Sequence, residues 1–459
     1  MDKNFPLSLR YHHILIRLAK YSFLGTLVFL PWRWRLVLSA RPNGTLYTDY
    51  TDFLLFLPDM TLMITLLACG LSKWMDRTRL RPGPTYIWLP LAGLTLAGFL
   101  SIFDSMDRAL SLYHFVRLIA LFLLFLYVVS EQISVMVIVI AVGVQGMLQA
   151  MVAIAQSVLQ RSVGLQLLGE HALDPLWAGV SVVSDGSARF LRAYGLTDHP
   201  NILGGCLAFG LIVLLAAFFH SAKRKWFFAI PFALMSLALL LTFSRSAWLA
   251  CLAGAGLVVG MEAWTRRGKN LGAVVRLALG TFLVLLPFIF MNAKYFGIRL
   301  NFGNSFADVP FENQSWNERP ILNESANQIL VKHPLTGVGL GASPIAMREE
   351  FPDFPTYYQP PHFTLLAAAL ETGIFGGLFY FLLMTLPWVV LLRHRNSWTD
   401  PGVIAAAGVL LSVTVVGFFD YYTWLSTAGR GWQWLAWGLF AVAMKPDPAP
   451  QVGLEGGQS

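Results

Sequence analysis

The sequence predicts an all-α polytopic membrane protein with about twelve transmembrane helices. Of its 459 residues, 56% are hydrophobic and only 13% are charged, and the mean hydropathy is +0.60. These values lie outside the range of soluble globular domains. Apolar runs of about 17 to 25 residues recur along the chain, and each is long enough to cross a hydrocarbon core of roughly 30 Å.

The predicted helices differ in how clearly their ends are marked. The eighth to tenth stand out most, whereas the ends of the first and fifth are less well defined. The first run follows basic residues without a convincing cleavage site, so we expect a retained helix. In chain order the helices are predicted at approximately 14–31, 51–71, 85–103, 110–129, 132–159, 200–219, 227–243, 246–262, 272–292, 362–386, 402–420 and 430–444.

Lysine and arginine clusters set the expected orientation. They occur at residues 73–81, 223–225, 266–276 and 393–395, in alternate connections. Positive charge in short loops favours the cytoplasmic side, so we expect both termini in the cytoplasm. The formal charge of +8 is explained by this topology, and no basic face interleaved with aromatic residues indicates nucleic-acid binding.

The connections on the opposite side are long and rich in polar and aromatic residues. They cover residues 32–50, 160–199 and 293–361, and the last should contain short helices, for example at 321–331. Ordered loops of this length are usually functional, so we expect the working site on the extracytoplasmic face. We predict a single membrane domain over residues 1–445, with a large loop at 293–361 between the ninth and tenth helices, and a disordered cytoplasmic tail at 446–459.

The motifs of metal and nucleotide enzymes are missing from the sequence. The three cysteines lie in apolar runs without CxxC spacing, which argues against disulfides and thiolate metal sites. No HExxH, Walker or GxSxG motif occurs, and GVGLG at 337–341 follows no predicted strand. We therefore expect no metal and no cofactor, and the glycines of GVGLG should allow a close backbone approach or a turn.

Two arginines lie on the predicted outer side of the membrane, where positive charge runs against the usual distribution. Arg245 joins two apolar segments in LLLTFSRSAWLA, and an arginine within a membrane costs roughly 2.5–3.5 kcal/mol on insertion scales. Arg192 opens RAYGLTDHPN, in which His199 and Asn201 lead into the predicted sixth helix. The structural alternatives are a snorkelling arginine at a sharp turn and a helix-entry device.

Arg319, in the large loop, and His362, directly after it, are two further candidates for functional residues. His362 follows two prolines at the start of the predicted tenth helix, where a neutral imidazole could act as general base, although a single interfacial histidine is often structural. Glu371 should lie about 13 Å deeper and serve in helix packing or a polar network. Several arginines and one base suit a reaction whose leaving group is an anion, such as a lipid diphosphate.

The order of these motifs resembles the O-antigen ligase and polymerase family of bacterial envelopes. The similar pieces, from about residue 85 to 445, are LSIFDSMDRALSLYHFVRLIALFLLF, RAYGLTDHPN, SRSAWLA, HPLTGVGLG and H(x)8ETGIFGG. The resemblance implies a GT-C-type, inverting, metal-independent glycosyltransferase of the bacterial inner membrane. Its donor would be a glycan on a polyprenyl diphosphate carrier such as undecaprenyl diphosphate, and its acceptor a glycolipid, a glycan or a protein.

The resemblance also implies roles for the candidate residues. His362 would activate the acceptor hydroxyl, and Arg245 and Arg319 would hold the diphosphate. Arg192, together with His199 and Asn201, would bind substrate or support the other arginines. Family members often have asparagine after the histidine, whereas Phe363 stands in that position here.

Three alternatives remain beside an O-antigen ligase. A polysaccharide polymerase or a protein O-oligosaccharyltransferase would use the same residues with another acceptor. A lipid-linked glycan flippase or secondary transporter also fits twelve helices with both termini inside. Transporters usually have two similar halves with binding groups near the midplane, whereas the polar residues here concentrate in one asymmetric loop.

Overall fold

The computed structural model describes residues 7–131, 133–220, 225–265, 268, 271–300 and 310–444. The tail predicted at 446–459 lies outside these ranges. The described helices are α1 Leu7–Phe29, α2 Leu57–Met75, α3 Thr85–Leu100, α4 Arg108–Glu131, α5 Val135–Leu159, α6 Pro200–His220, α7 Ala229–Leu241, α8 Arg245–Thr265, α9 Leu271–Met291, α10 Ala293–Leu300, α11 Pro310–Lys332, α12 Ser343–Glu350, α13 Thr364–Arg393, α14 Pro401–Phe419, α15 Tyr422–Leu425 and α16 Thr427–Ala443.

Every predicted helix has a counterpart in the described part of the chain, namely α1 to α9, α13, α14 and α16. Seven of the described helices are long and apolar enough to cross a membrane: α4, α5, α6, α8, α9, α13 and α14. The segment Thr85–Leu100, which is α3, and the segment Trp226–Leu241, which ends with α7, are shorter and also apolar. The protein is therefore a helical membrane protein, and the count of about twelve crossings stays a prediction.

The all-α prediction was wrong at two short hairpins. Strand β1, Arg35–Ser39, pairs antiparallel with β2, Phe53–Phe56, and β3, Val182–Ser184, pairs with β4, Arg189–Leu191. The helix predicted from residue 51 begins only at Leu57. Pro58 suits the first turn of a helix, and Asp59 Oδ2 accepts a hydrogen bond from the Phe56 amide at 3.0 Å. The apolar residues before Leu57 belong to a strand.

The long connections meet at one end of the helix bundle, which we call the loop face. It consists of residues 30–56, 101–107, 160–199, 242–244, 293–363 and 420–426, as far as they are described. Hydrogen bonds across it join Arg33 N to Leu196 O (2.7 Å) and Met106 N to Val338 O (3.1 Å), as well as Arg348 Nη1 to Asn43 O (2.7 Å) and the hydroxyls of Tyr50 and Tyr421 (2.8 Å). Segments far apart in sequence thus form one surface.

Helix α6 lies at the centre of the bundle. In its most apolar stretch of 18 residues, 89% of the residues are buried inside the protein, compared with 11% in the same length of α9. It packs against α5, α7, α8, α14 and α16. The first turn of α6 carries Asn201, so the sequence motif that precedes α6 lies above the middle of the bundle.

A break in α13 accommodates the GVGLG segment. Gly373 has φ 74° and ψ 179°, which is not helical. A broken helix leaves backbone carbonyls that need new donors at membrane depth. Val338 N supplies one to Leu370 O at 2.9 Å, and Gly339 N supplies another to Glu371 O at 3.1 Å. The loop backbone therefore completes the hydrogen bonding of the broken helix.

Glycine is required where this segment touches its neighbours. Gly337 has φ +69° and Gly341 has φ +74°, a left-handed conformation that side chains disfavour. A Cβ on Gly337 would overlap the backbone of Leu370, and one on Gly341 would overlap the ring of His114. The prediction that these glycines permit a close backbone approach is confirmed.

Candidate functional site

His362 lies on the loop face, just before α13. The helix begins at Thr364, two residues later than predicted, with Phe363 as its N-cap residue. The side chain of His362 is 14% exposed, and its Nδ1 lies 3.7 Å from Asp420 Oδ1. Its ring meets Tyr421 edge-on, with centroids 5.0 Å apart. These contacts leave Nε2 as the ring nitrogen that does not face Asp420.

Burial keeps His362 neutral at physiological pH. It lowers the pKa of His362 to about 4; the Asp420 carboxylate raises this pKa, and the Arg319 charge lowers it. Arg319, on α11, therefore lies close enough to His362 to influence its proton affinity. A neutral imidazole can accept a proton from a substrate hydroxyl.

Asp420 is the main site residue that the sequence analysis missed. It is 3% exposed and follows the last residue of α14. Its Oδ2 accepts from Asn201 Nδ2 at 2.8 Å, and its Oδ1 accepts from the backbone amide of Tyr421 at 3.0 Å. The hydroxyl of Thr364 donates to the Asp420 carbonyl at 2.8 Å. The carboxylate is thus held from several sides while Oδ1 faces His362.

Arg192 supports Asn201 in this arrangement. Its Nη2 donates to Asn201 Oδ1 at 2.6 Å, its Nη1 donates to Ser181 Oγ at 2.8 Å, and its Nε donates to the Thr242 carbonyl at 2.7 Å. Arginine only donates hydrogen bonds and a carboxylate only accepts them. The side-chain amide of Asn201 therefore has to turn its oxygen towards Arg192 and its nitrogen towards Asp420. A continuous polar chain therefore leads from Arg192 to His362.

The turn between α7 and α8 places Arg245 at the first position of α8. Phe243, in this turn, has φ 50°, which is unfavourable for a bulky residue. Two guanidiniums bind successive carbonyls here, because Arg192 bonds Thr242 O at 2.7 Å and Arg299 Nε bonds Phe243 O at 2.7 Å. The Phe243 ring also stacks on Phe296, with centroids 4.6 Å apart. These contacts hold the turn that carries Arg245, which is itself partly exposed.

Arg299 is a second residue that the sequence analysis missed. It is 7% exposed and lies on α10, one turn after the buried Phe296. This spacing of an aromatic residue and an arginine on one helix face was a usable but weak signal. The charge of Arg299 also lowers the pKa of His199.

His199 combines a capping role with a position in the site. Its Nδ1 accepts a hydrogen bond from the backbone N–H of Asn201 at 3.1 Å. This bond satisfies one of the free backbone donors at the start of α6. Burial lowers the pKa of His199 well below its usual value, and the charges of Arg192 and Arg299 lower it further. The helix-entry interpretation therefore applies to His199, and its role in substrate binding stays a prediction.

The structure brings most of the predicted site residues together. Contacts and electrostatic interactions connect His362, Arg319, Arg192, His199 and Asn201, and Arg245 begins α8 directly after the turn that Arg192 binds. Glu371 lies apart from His362 in a buried network, accepting from Ser343 Oγ and Trp424 Nε1 at 2.8 Å each. Within the described ranges, no group of three or more histidine, cysteine or acidic side chains could hold a metal ion.

Comparison with known proteins identifies one part of the chain. Residues 230–381 match the family model of the O-antigen ligase. This segment contains Arg245, Arg319 and His362, whereas Arg192 and Asp420 lie outside it. The resemblance inferred from the motifs is therefore confirmed over these residues. A search of curated proteins found no match.

Proposed function

We propose that this protein is a membrane glycosyltransferase that moves a glycan from a polyprenyl diphosphate carrier to an acceptor hydroxyl. The observation that carries the proposal is the position of His362, which is 14% exposed and has its Nδ1 3.7 Å from Asp420 Oδ1. A match to O-antigen ligases over residues 230–381 supports this class of reaction. The acceptor would approach from the loop face, which we place on the extracytoplasmic side of a bacterial inner membrane, with both termini in the cytoplasm.

In the proposed reaction His362 is the general base. With the proton of the neutral ring on Nδ1, towards Asp420, Nε2 accepts the proton of the acceptor hydroxyl. The hydroxyl oxygen attacks the anomeric carbon and forms the new glycosidic bond with inversion. The bond between that carbon and the diphosphate oxygen breaks, and its electron pair leaves with the diphosphate. The Asp420 carboxylate stabilises the imidazolium that forms.

Guanidinium groups would stabilise the departing diphosphate. Arg319 already influences His362 electrostatically, and Arg245 is partly exposed at the start of α8. Two arginines can bind a diphosphate through bidentate hydrogen bonds, which makes it a better leaving group without a metal ion. Arg192 and Arg299 bind backbone carbonyls of the α7–α8 turn, so we assign them to positioning Arg245 rather than to direct phosphate contact.

Among acceptors we favour the lipid acceptor of an O-antigen ligase, because the matching family carries that description. A polymerase or a protein O-oligosaccharyltransferase would use the same base and the same leaving group, so they remain branches of one proposal. A flippase would move the carrier without breaking the glycosidic bond. His362 and Asp420 lie on the loop face, at one end of the bundle, whereas transporters usually bind their substrate near the membrane midplane, and this location favours the enzyme.

The proposal is tested with purified protein in proteoliposomes. The donor is the polyprenyl diphosphate-linked glycan extracted from a strain that lacks this protein, and the acceptor is the remaining lipid extract of the same strain. We expect the wild-type protein to release polyprenyl diphosphate and His362→Ala to lose at least about a hundredfold in rate, the lower range for general-base catalysis. His394→Ala is the matched control, because His394 is exposed on the connection between α13 and α14, away from the loop face.

Carrier movement across the vesicle membrane without donor consumption would contradict the enzyme and support the flippase. Normal turnover by His362→Ala would contradict the assignment of the base. The surface glycan profile of the deletion strain then separates the branches. A core without long chains indicates a ligase, and products with a single repeat indicate a polymerase.

A further inference from the structure

The connection between β1 and β2 presents a tyrosine ring on the loop face. Tyr47 is 52% exposed, and its hydroxyl interacts electrostatically with the nearby Asp49 carboxylate. Its ring edge also packs against Tyr50, with centroids 5.7 Å apart and ring planes at 77°. Tyr50 therefore supports one side of the ring, while part of the ring surface is open.

Aromatic side chains connect this ring to the proposed base. The Tyr50 hydroxyl lies 2.8 Å from the hydroxyl of Tyr421, and the Tyr421 ring meets His362 edge-on at 5.0 Å between centroids. One contiguous series of aromatic side chains thus runs from Tyr47 through Tyr50 and Tyr421 to His362. Its outer end, Tyr47, is the exposed member.

The charges beside Tyr47 are balanced. Arg35 bonds Asp49 through Nη2, at 2.5 and 2.6 Å to the two carboxylate oxygens, and bonds Asp198 Oδ1 through Nη1 at 2.7 Å. Arg33 Nε lies 2.8 Å from the same Asp198 oxygen. Two cations therefore face two anions, so this cluster has no net charge with which to attract a diphosphate. The four side chains are 11% to 28% exposed, which leaves polar atoms within reach of a ligand's hydroxyls.

We propose that Tyr47, Asp49, Asp198, Arg33 and Arg35 form a subsite for a pyranose ring of a glycan substrate, at a distance from the bond that reacts. This inference rests on the proposed function. An exposed aromatic face offers an apolar surface to the C–H groups of a sugar, and the paired charges offer donors and acceptors to its hydroxyls. The sugar belongs either to the donor glycan or to the acceptor, since both carry pyranose rings.

An interfacial tyrosine that only anchors a membrane protein would have a different setting. Such residues direct their hydroxyl towards lipid headgroups and water. The hydroxyl of Tyr47 instead interacts with the charges of Asp49, Asp198, Arg35 and Arg33, and the ring continues the aromatic series that ends at His362. These contacts favour a sugar over a lipid headgroup as the occupant.

The test measures steady-state kinetics in the proteoliposome assay with the donor and acceptor extracts described above. One arm varies the donor at saturating acceptor, and the other varies the acceptor at saturating donor. We expect Tyr47→Ala to raise the apparent KM about tenfold in one arm, as for the loss of a favourable aromatic contact, and to leave kcat within about twofold. Tyr47→Trp should restore most of the affinity because it keeps an aromatic face. The arm that responds identifies the substrate that carries the sugar.

Tyr21→Ala serves as the matched control. Tyr21 is 67% exposed but lies on the outer surface of α1, away from the loop face. Unchanged KM in both arms for Tyr47→Ala would overturn the subsite, and so would an equal change in Tyr21→Ala or a fall in kcat alone. A wild-type protein that consumes no donor would instead contradict the proposed function, so the two failures are distinguishable.

Discussion

Asp420 Oδ1 lies 3.7 Å from His362 Nδ1, although the two residues are separated by α13 and α14. The pair forms because Thr364, at the start of α13, donates its hydroxyl to the Asp420 carbonyl at 2.8 Å. The backbone contact brings the end of α14 to the start of α13 and leaves the carboxylate directed at the imidazole. The proposed base and its partner are thus positioned by the junction of two helices.

Asp420→Asn should lower kcat by about a hundredfold, within the usual range for a general base and its orienting group. The amide cannot stabilise the imidazolium by charge, and loss of the carboxylate removes an effect that raises the pKa of His362. A weaker base therefore results. Asp353→Asn, at an exposed position of the loop face, is the control and should retain wild-type turnover. Equal activity in both variants would rule out a role for Asp420.

The pH profile of kcat/KM should have its acidic limb well below the ordinary pKa of histidine. Burial lowers the pKa of His362 to about 4, so the base stays neutral, and active, as the pH falls through 6.5. Protonation, and with it loss of activity, should begin only as the pH approaches 4. Initial rates at limiting donor, measured between pH 4 and 8, check this expectation. A half-maximal rate near pH 6.5 would contradict it.

Arg299→Ala should raise the KM for the donor more than it lowers kcat. The variant removes the hydrogen bond to the Phe243 carbonyl and loosens the turn that places Arg245. Loss of a charged partner from a buried carbonyl costs about 1–3 kcal/mol. Arg348→Ala is a comparison variant, since Arg348 also donates to a loop-face carbonyl, that of Asn43, but not in the α7–α8 turn. An unchanged donor KM in Arg299→Ala would show that the turn does not control donor binding.

Gly341→Ala should destabilise the protein by about 1–3 kcal/mol, the usual cost of a strained backbone conformation. Gly341 has φ +74°, and a Cβ there would overlap the His114 ring. Gly280→Ala is the matched control, because Gly280 lies within α9 and no atom would contact an added Cβ within 4 Å. Thermal unfolding of the detergent-solubilised variants measures the difference. Equal unfolding temperatures would indicate that the GVGLG segment can shift without cost.

Much of the helical fold was predictable, because apolar runs of membrane-spanning length are a strong local signal. The hairpin of β1 and β2 was not. Its second strand, FLLF, continues directly into the apolar sequence of α2, and an apolar run does not distinguish a strand from a buried helix. Only pairing with β1, across the intervening loop, establishes the strand.

The candidate site was predictable where charge and motif coincide. Arg245 and His362 are ionisable residues at the ends of apolar runs, where their energetic cost calls for a function. Arg192 and Arg319 lie in the long connections and were indicated by their motifs. Asp420 gave no comparable signal, since a single acid after an apolar helix is also an ordinary helix-end residue. Arg299 gave only a weak signal, its spacing of one turn from Phe296 on a short helix.

The sequence by itself determined the membrane class, the approximate positions of the helices, the long connections and four of the ionisable residues in the candidate site. These properties follow from composition and local hydrophobicity, which act within one segment at a time. The tertiary structure decided that Asp420 faces His362, that Arg192 reaches it through Asn201, and that the GVGLG segment completes the broken α13. Such contacts join residues that are distant in sequence, and they depend on how the helices pack and on where each buried polar group finds its hydrogen-bond partner.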